Sequence, residues 1–565
     1  MKSSKIKEIL RLYLPLIVTA IMLTVIQAPV GWSVSAWVSL VPFILVCRPD
    51  AKPKKLAVSA YLISLFYWLG NLYWMAYVTP IGWIAFCVYT AVLWPVVALC
   101  LRYCRMKKVP LFLAVPILIV GAERLQGFFL GGFFWRFLAH SQYENIMLIQ
   151  IADIFGAGGV SFLIAMVNGL AAELIIAVDE KRLLKVSNFI KAAVVCEAVA
   201  GVFLYGQWRM VQSAEFTEDG PLVASLQSNV PQSVKQSFQA EEQIFTDLLE
   251  HSKQSAEAGA ELIVWPETMV QAILEPHLLR LLDPLHSYRI FDKSLSEHAK
   301  EGVFLLVGAY GGTPQITEDF DIRLAQKYNS AFLYKPDGSL AEKSYGKIHL
   351  VPFGEALPFE NIDFLHNLLI KIGPYDFDYT LDAGTEYTVF EMSGGEWDEA
   401  GTYKFSVVIC YEDAVPALCR RFAVDEDGRK RIDWLINISN DGWFVRFKDG
   451  KVLPSTELAQ HTAVCVFRAV ENRLAIVRSV NTGISCLIDP LGIIHNGFMG
   501  GNLPNQAMER QGCAGWFVDR ITIDKRTTFF SKYGQWLDFC CALCLIMVII
   551  VPALQRLVFR EGTKK

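Results

Sequence analysis

The sequence predicts two joined folds, an α-helical membrane domain of about eight spans and an α/β domain on the outer face of that membrane. Three observations carry this reading. The 565-residue chain is 53% hydrophobic and 19% charged, with a mean hydropathy of +0.34, too apolar for an ordinary soluble enzyme of this size. Leu12–Cys47 and Leu56–Leu101 contain no Asp, Glu, Lys or Arg. Residues 208–535 instead alternate short β-rich runs with helical stretches.

At roughly 20 residues per span, each charge-free run holds two helices. Gln27-Ala28-Pro29 and Thr79-Pro80-Ile81-Gly82 mark the turns between them. Further spans are expected at 109–131, 158–178, 190–207 and 536–556. The N-terminal stretch reads as a retained span, because no A-x-A-like site ends it and a second span follows at once. Basic residues then alternate between loops. Lys2, Lys5, Lys7 and Arg11 precede the first span, and Arg48, Lys52, Lys54 and Lys55 follow the second. Arg102, Arg105, Lys107 and Lys108 follow the fourth; Lys181, Arg182, Lys185 and Lys191 follow the sixth; Arg556, Arg560, Lys564 and Lys565 follow the eighth. The positive-inside rule puts both termini in the cytoplasm and residues 208–535 outside. The expected domains are therefore 1–207, with seven helices, 208–535, and 536–565, with the last helix and a short tail. Glu123 and Arg124, inside the fifth span, form either a polar lining or an internal ion pair.

In the outer domain, strands are expected at Leu222–Leu226, Leu262–Trp265, Val303–Val307, Ala331–Tyr334, Phe405–Ile409, Trp434–Ile438, Leu474–Arg478 and Gly483–Ile488. Helices are expected at Ala240–Ala258 and Glu457–Asn472. This alternation predicts helices covering sheets. Five of the 13 cysteines, Cys410, Cys419, Cys465, Cys486 and Cys513, fall in this domain, and an odd number leaves at least one thiol unpaired. No Cys/His spacing suggests a metal, and no cofactor is expected. A net charge of −4 without basic aromatic clusters gives no support to nucleic-acid binding, and no nucleic-acid partner is expected.

Two of the strand-like runs end in chemistry, and a third segment lies between them. Leu262-Ile263-Val264-Trp265-Pro266 stops at Glu267, and Phe405–Ile409 stops at Cys410, followed by Tyr411 and Glu412. Between them, Tyr345-Gly346-Lys347 leads to Glu355. A thiol nucleophile, a carboxylate base and an ammonium are the parts needed for acyl transfer through a thioester. A buried structural cysteine, a solvated Glu355 and a helix-capping Glu412 are the bland alternatives. The three segments, 80 and then 63 positions apart, together resemble the nitrilase, or carbon–nitrogen hydrolase, superfamily, whose triad is Glu-Lys-Cys in this order. That resemblance implies an α-β-β-α sandwich, with Glu267, Lys347 and Cys410 catalytic.

With its membrane spans, the chain is similar to the apolipoprotein N-acyltransferase family. The similarity runs through Leu72-Tyr73-Trp74, Gly132-Phe133-Phe134-Trp135, Ser141-Gln142, Gln150-Ile151-Ala152-Asp153 and Gly159-Val160-Ser161-Phe162. It continues in Gln227-Ser228-Asn229-Val230-Pro231-Gln232, Asn437–Phe444, Gln460-His461, Arg468–Arg473 and Asn481-Thr482-Gly483. The family's Trp after Asn-Val-Pro-Gln is absent, since Lys235 is followed by Gln236. Phe134 replaces a Pro, Val445 a Gly, and Gly534-Gln535 stands where Gly-Asp is usual. The resemblance implies two half-reactions at the bacterial inner membrane. A phospholipid gives its sn-1 acyl chain to Cys410, and the thioester is attacked by the α-amine of a lipoprotein's diacylglyceryl-cysteine. Glu267 is the implied base and Lys347 the oxyanion cation. The backbone N–H of Tyr411 is expected to complete the oxyanion hole, and Glu355 and Glu412 to position Lys347 or the amine. The chain is expected to be monomeric. The alternative is a membrane-tethered amidase or nitrilase acting on a small periplasmic substrate.

Overall fold

The computed structural model describes residues 2–128, 131–232, 238–316, 322–357, 362, 364, 370, 380–393, 401–449 and 451–562. Lys235 and Gln236, where the sequence departs from the family motif, lie outside them. The chain divides into two compact units: residues 1–76, 80–211 and 533–565 form one, and 77–79 with 212–532 the other.

The first unit is helical. Among the described residues three helices are long and apolar enough to cross a membrane, Pro80–Met106, Ala157–Asp179 and Val186–Ser213. Leu10–Val25, Ser33–Val46, Ile146–Phe155 and Trp536–Pro552 are shorter apolar helical segments. Of the two helices expected in residues 12–47, the first is continuous and the second is broken. After Lys2–Val25 the chain turns, forms a 3₁₀ helix at Ser33–Val38, and restarts as the six-residue helix Val41–Val46. Pro42 sits in the first turn of that helix, where its missing N–H is tolerated but a continuous helix is not. Backbone groups freed by the break need partners in apolar surroundings. Asn168, buried on Ala157–Asp179, supplies them: its amide donates to Ala36 O at 2.9 Å and its carbonyl accepts from Leu40 N at 2.8 Å. Glu123 and Arg124 diverge. Glu123 accepts from Leu138 N at 2.7 Å, whereas Arg124 donates to Gly127 O and lies over the Phe539 ring.

The second unit holds two sheets. The seven-stranded sheet runs in the order Met499–Gly501, Gly515–Asp524, Thr217–Gln227, Leu262–Val264, Phe304–Ile316, Ile322–Tyr334 and Tyr345–Gly346. The six-stranded sheet runs Ile494–His495, Cys486–Ile488, Ala475–Val480, Trp434–Ser439, Thr402–Ile409 and Phe390–Ser393. The strands nearest the site are parallel: Leu262–Val264 to both neighbours, and Trp434–Ser439 to both of its own. Leu262–Val264 and Trp434–Ser439 are buried throughout, as strands covered on both faces must be, which is why they read as continuous apolar runs.

The sheets pack face to face. Ser479 Oγ lies 2.9 Å from both Leu226 O and Val264 O, which share its one hydrogen, and Ser225 Oγ donates to Arg478 O, so even the polar residues between the layers are satisfied across them. On the outer side of the seven-stranded sheet, Ile244, Phe245 and Leu248 from helix Phe238–Glu257 and Phe291 and Leu295 from helix Ser287–Ala299 pack on Ile263, Trp265, Leu305 and Phe332. Helices Pro416–Ala423 and Thr456–Asn472 accompany the six-stranded sheet. All 13 cysteines are free thiols.

Candidate active site

Each site segment begins where a strand stops. Leu262–Val264 is followed by Trp265, Pro266 and Glu267, Tyr345–Gly346 by Lys347, Thr402–Ile409 by Cys410, and Trp434–Ser439 by Asn440. Gly308, on the neighbouring strand, lets the Glu267 turn come close. A Cβ there would fall 2.6 Å from Pro266 O and 2.8 Å from the Glu267 Cα. Cys410 itself has φ +54°, a left-handed conformation that is unfavourable for any side chain other than glycine's hydrogen, and it opens the 3₁₀ turn Cys410–Ala414.

Lys347 is 1% exposed and lies between two carboxylates. Its Nζ is 2.7–2.8 Å from the oxygens of Glu355 and 3.7 Å from Glu267 Oε1. Burial opposes its charge, but Glu355 and Glu267 outweigh burial and hold the ammonium above its ordinary range. Asn329 joins the two acids, donating from Nδ2 to Glu267 Oε1 at 2.7 Å and to Glu355 Oε1 at 3.1 Å. The other Glu267 oxygen accepts from Asn440 N at 2.7 Å. The base candidate is thereby fixed from both sheets. The Cys410 thiol lies in the field of this group. Burial and Glu267 raise its pKa well above the usual range while Lys347 lowers it, so the resting sulfur is a protonated thiol.

Glu412 lies elsewhere than at the Lys347 ammonium. Fully buried, it accepts from the N–H groups of Ile348, His349 and Ile409 at 2.7–2.9 Å, and from Tyr345 Oη. It both caps the turn after Cys410 and grips the backbone beyond Lys347. The ring of Tyr411 lies 6.1 Å from that of His349. Asn329, Asn440 and Asn481 carry no signal in the spacing that singled out the triad. Asn481 alone links Ser228, Val230 and Asn440, joining three of the family-like segments.

Two layered sheets with a carboxylate, an ammonium and a thiol at adjoining strand ends define a carbon–nitrogen hydrolase domain, and residues 204–498 match the carbon–nitrogen hydrolase family model. Residues 19–170 match the apolipoprotein N-acyltransferase N-terminal domain. The chain belongs to the apolipoprotein N-acyltransferase family. It is 31% identical to the apolipoprotein N-acyltransferase of Geobacter metallireducens, over 94% of this chain and 93% of that one. To apolipoprotein N-acyltransferase 1 of Treponema denticola it is 23% identical over 94% of each. Among solved structures, an amidase from Nesterenkonia sp. is 14% identical, covering 55% of this chain and 92% of that one with a TM-score of 0.33, too slight a likeness to carry an argument.

Proposed function

We propose that the protein moves an acyl chain from a membrane phospholipid, through a thioester on Cys410, to the N-terminal amine of a diacylglyceryl-lipoprotein. The arrangement of Lys347 between Glu267 and Glu355, beside a protonated Cys410, carries this reading. A neutral thiol needs a base at the moment of attack. Glu267 takes the Sγ proton as sulfur bonds to the ester carbonyl carbon. Lys347 faces the oxygen that becomes negative. When the carbon–oxygen bond to glycerol breaks, Glu267 returns the proton to the leaving oxygen and a lysophospholipid departs. In the second half the lipoprotein amine attacks the thioester, Glu267 accepts its proton, and Sγ leaves with that proton. The Tyr411 N–H is proposed as a second oxyanion donor.

The same reading places the catalytic domain, residues 208–535, on the outer face of a bacterial inner membrane, with eight spans, cytoplasmic termini and a monomeric chain. The alternating basic loops support it, and so does the chemistry, because both substrates are lipid-anchored. The domains proposed are 1–207, 208–535 and 536–565.

A chase tests the whole scheme. Protein is loaded with acyl-labelled phospholipid, then given a diacylglyceryl-cysteine peptide. Label should pass from Cys410 to the peptide amine, and Glu267→Gln should fail at loading. Label released as free fatty acid would favour a hydrolase, and rapid loading of Glu267→Gln would remove Glu267 from the role of base.

A further inference from the structure

Five ionisable side chains, Asp413, Asp441, Glu457, His461 and Arg478, form a second cluster, each no more than 2% exposed. They come from four elements: the turn Cys410–Ala414, the turn Asp441–Phe444, helix Thr456–Asn472 and strand Ala475–Val480. His461 Nε2 is 2.8 Å from Asp413 Oδ1, and its Nδ1 is 3.4 Å from both Asp441 Oδ1 and Glu457 Oε1. Arg478 Nη1 donates to Asp413 Oδ2 at 2.6 Å, and Ser439 Oγ to Asp441 Oδ1 at 2.6 Å. The thiols of Cys465 and Cys486 face Arg478.

With a neutral imidazole and three carboxylates, the cluster would bury an excess of negative charge, at several kcal/mol per unpaired ion. It resolves this with protons. Burial opposes charge on His461, but Asp413 and Asp441 outweigh it and push its pKa up to about 10. Burial, then Asp441, drives Glu457 well above the carboxylate range, so it keeps its proton. Two anions, Asp413 and Asp441, then meet two cations, His461 and Arg478.

We infer that this buried cluster positions both halves of the site: the turn carrying Cys410, through Asp413, and the amide that holds Glu267, through Asp441. Asp413 lies three residues beyond Cys410 in the same 3₁₀ turn. Asp441 follows Asn440, whose N–H donates to Glu267 Oε2 at 2.7 Å. His461 is the common neighbour of the two aspartates, hydrogen-bonded to Asp413 through Nε2 and at ion-pair distance from Asp441 through Nδ1, so it relates one half to the other. Asp413, Asp441, His461 and Arg478 act as positioning residues, and Glu457 is the neutral neighbour that leaves their charges balanced. The inference rests on the acyl-transfer reading above.

Two conservative variants of the full-length protein test it. Glu457→Gln mimics a protonated acid and should load acyl chains within about threefold of wild type. Asp413→Asn removes the carboxylate that most raises His461, so the imidazolium titrates nearer neutrality. Its acyl loading should slow at least tenfold and decline further as pH rises from about 6 to 8, a limb the wild type lacks. Site-resolved alkylation of Cys410 by iodoacetamide over the same pH series needs no lipid and should show the same new inflection. An Asp413→Asn profile matching wild type in alkylation overturns the positioning role. So does a Glu457→Gln variant as impaired as Asp413→Asn together with one divalent metal per wild-type chain, which would make Asp441, Glu457 and His461 ligands instead. A wild type that alkylates as expected but never takes acyl label overturns only the acyl-transfer reading.

Discussion

The hydroxyl of Tyr345 donates to Glu412, 2.9 and 2.8 Å from its two carboxylate oxygens. Tyr345 lies two residues before Lys347 and Glu412 two residues after Cys410, so this contact ties the cation's strand to the nucleophile's turn. Burial, then Glu412, raises the Tyr345 pKa well above its usual value, which keeps the phenol a donor. Tyr345→Phe removes one hydrogen bond to a buried acid and should cost about 1.5–3 kcal/mol of stability. Glu412→Gln should cost more, because it turns an amide NH₂ toward a group of donors. Thermal unfolding and acyl-loading rates check both, and a Tyr345→Phe protein as stable and fast as wild type would show the tie to be idle.

Cys410→Ala and Cys410→Ser should abolish acyl loading in protein that remains folded. Wild type incubated with phospholipid alone should carry a hydroxylamine-labile acyl group, located by mass spectrometry. Cys419 and Cys465 are completely buried, so acylation at either one would contradict the assignment of the nucleophile.

Lys347→Met should lose about 10²–10³ in loading rate, the usual cost of removing one oxyanion donor. Lys347→Arg should recover little, since a planar fork does not fit between Glu267 and Glu355 as an ammonium does. Unimpaired loading by Lys347→Met would move the oxyanion role elsewhere.

The alkaline limb of the loading profile should respond to Glu355. Glu355 is the largest influence holding Lys347 protonated against burial. In Glu355→Gln that support is lost, the Lys347 pKa falls, and the ammonium gives up its proton at a lower pH. Loading should therefore fail at lower pH on the alkaline side than in wild type, with the acid side unmoved. Measurement between about pH 7 and 10 decides it, spanning the range below an ordinary lysine. An unchanged alkaline limb would leave Glu355 without influence on Lys347.

The Glu267 and Cys410 segments were legible because each is a short apolar run that ends in a charged or nucleophilic residue, and burial on both faces of a sheet writes such runs into sequence; Lys347 follows only the two-residue strand Tyr345–Gly346 and was found by its place between them. Asn329 was not legible. It sits inside the strand Ile322–Tyr334, and its amide meets Glu267 only because of how that strand pairs with Phe304–Ile316. Gly515–Asp524 was missed as a strand although it pairs with Thr217–Gln227 along its whole length, since Asp519 and Arg520 interrupt the apolar pattern at its exposed side. In residues 28–47 the lack of charge made the apolar helical segment legible but not its break, which Pro42 and the Asn168 side chain accompany.

The left-handed backbone at Cys410 sets folding and chemistry against each other at one position. Conformation alone favours glycine there, since an L-residue in that region costs about 1–2 kcal/mol. Glycine would remove the sulfur. Drift toward a more robust fold therefore leads away from activity at residue 410, and a family member that has lost its reaction would be expected to relax first at this turn.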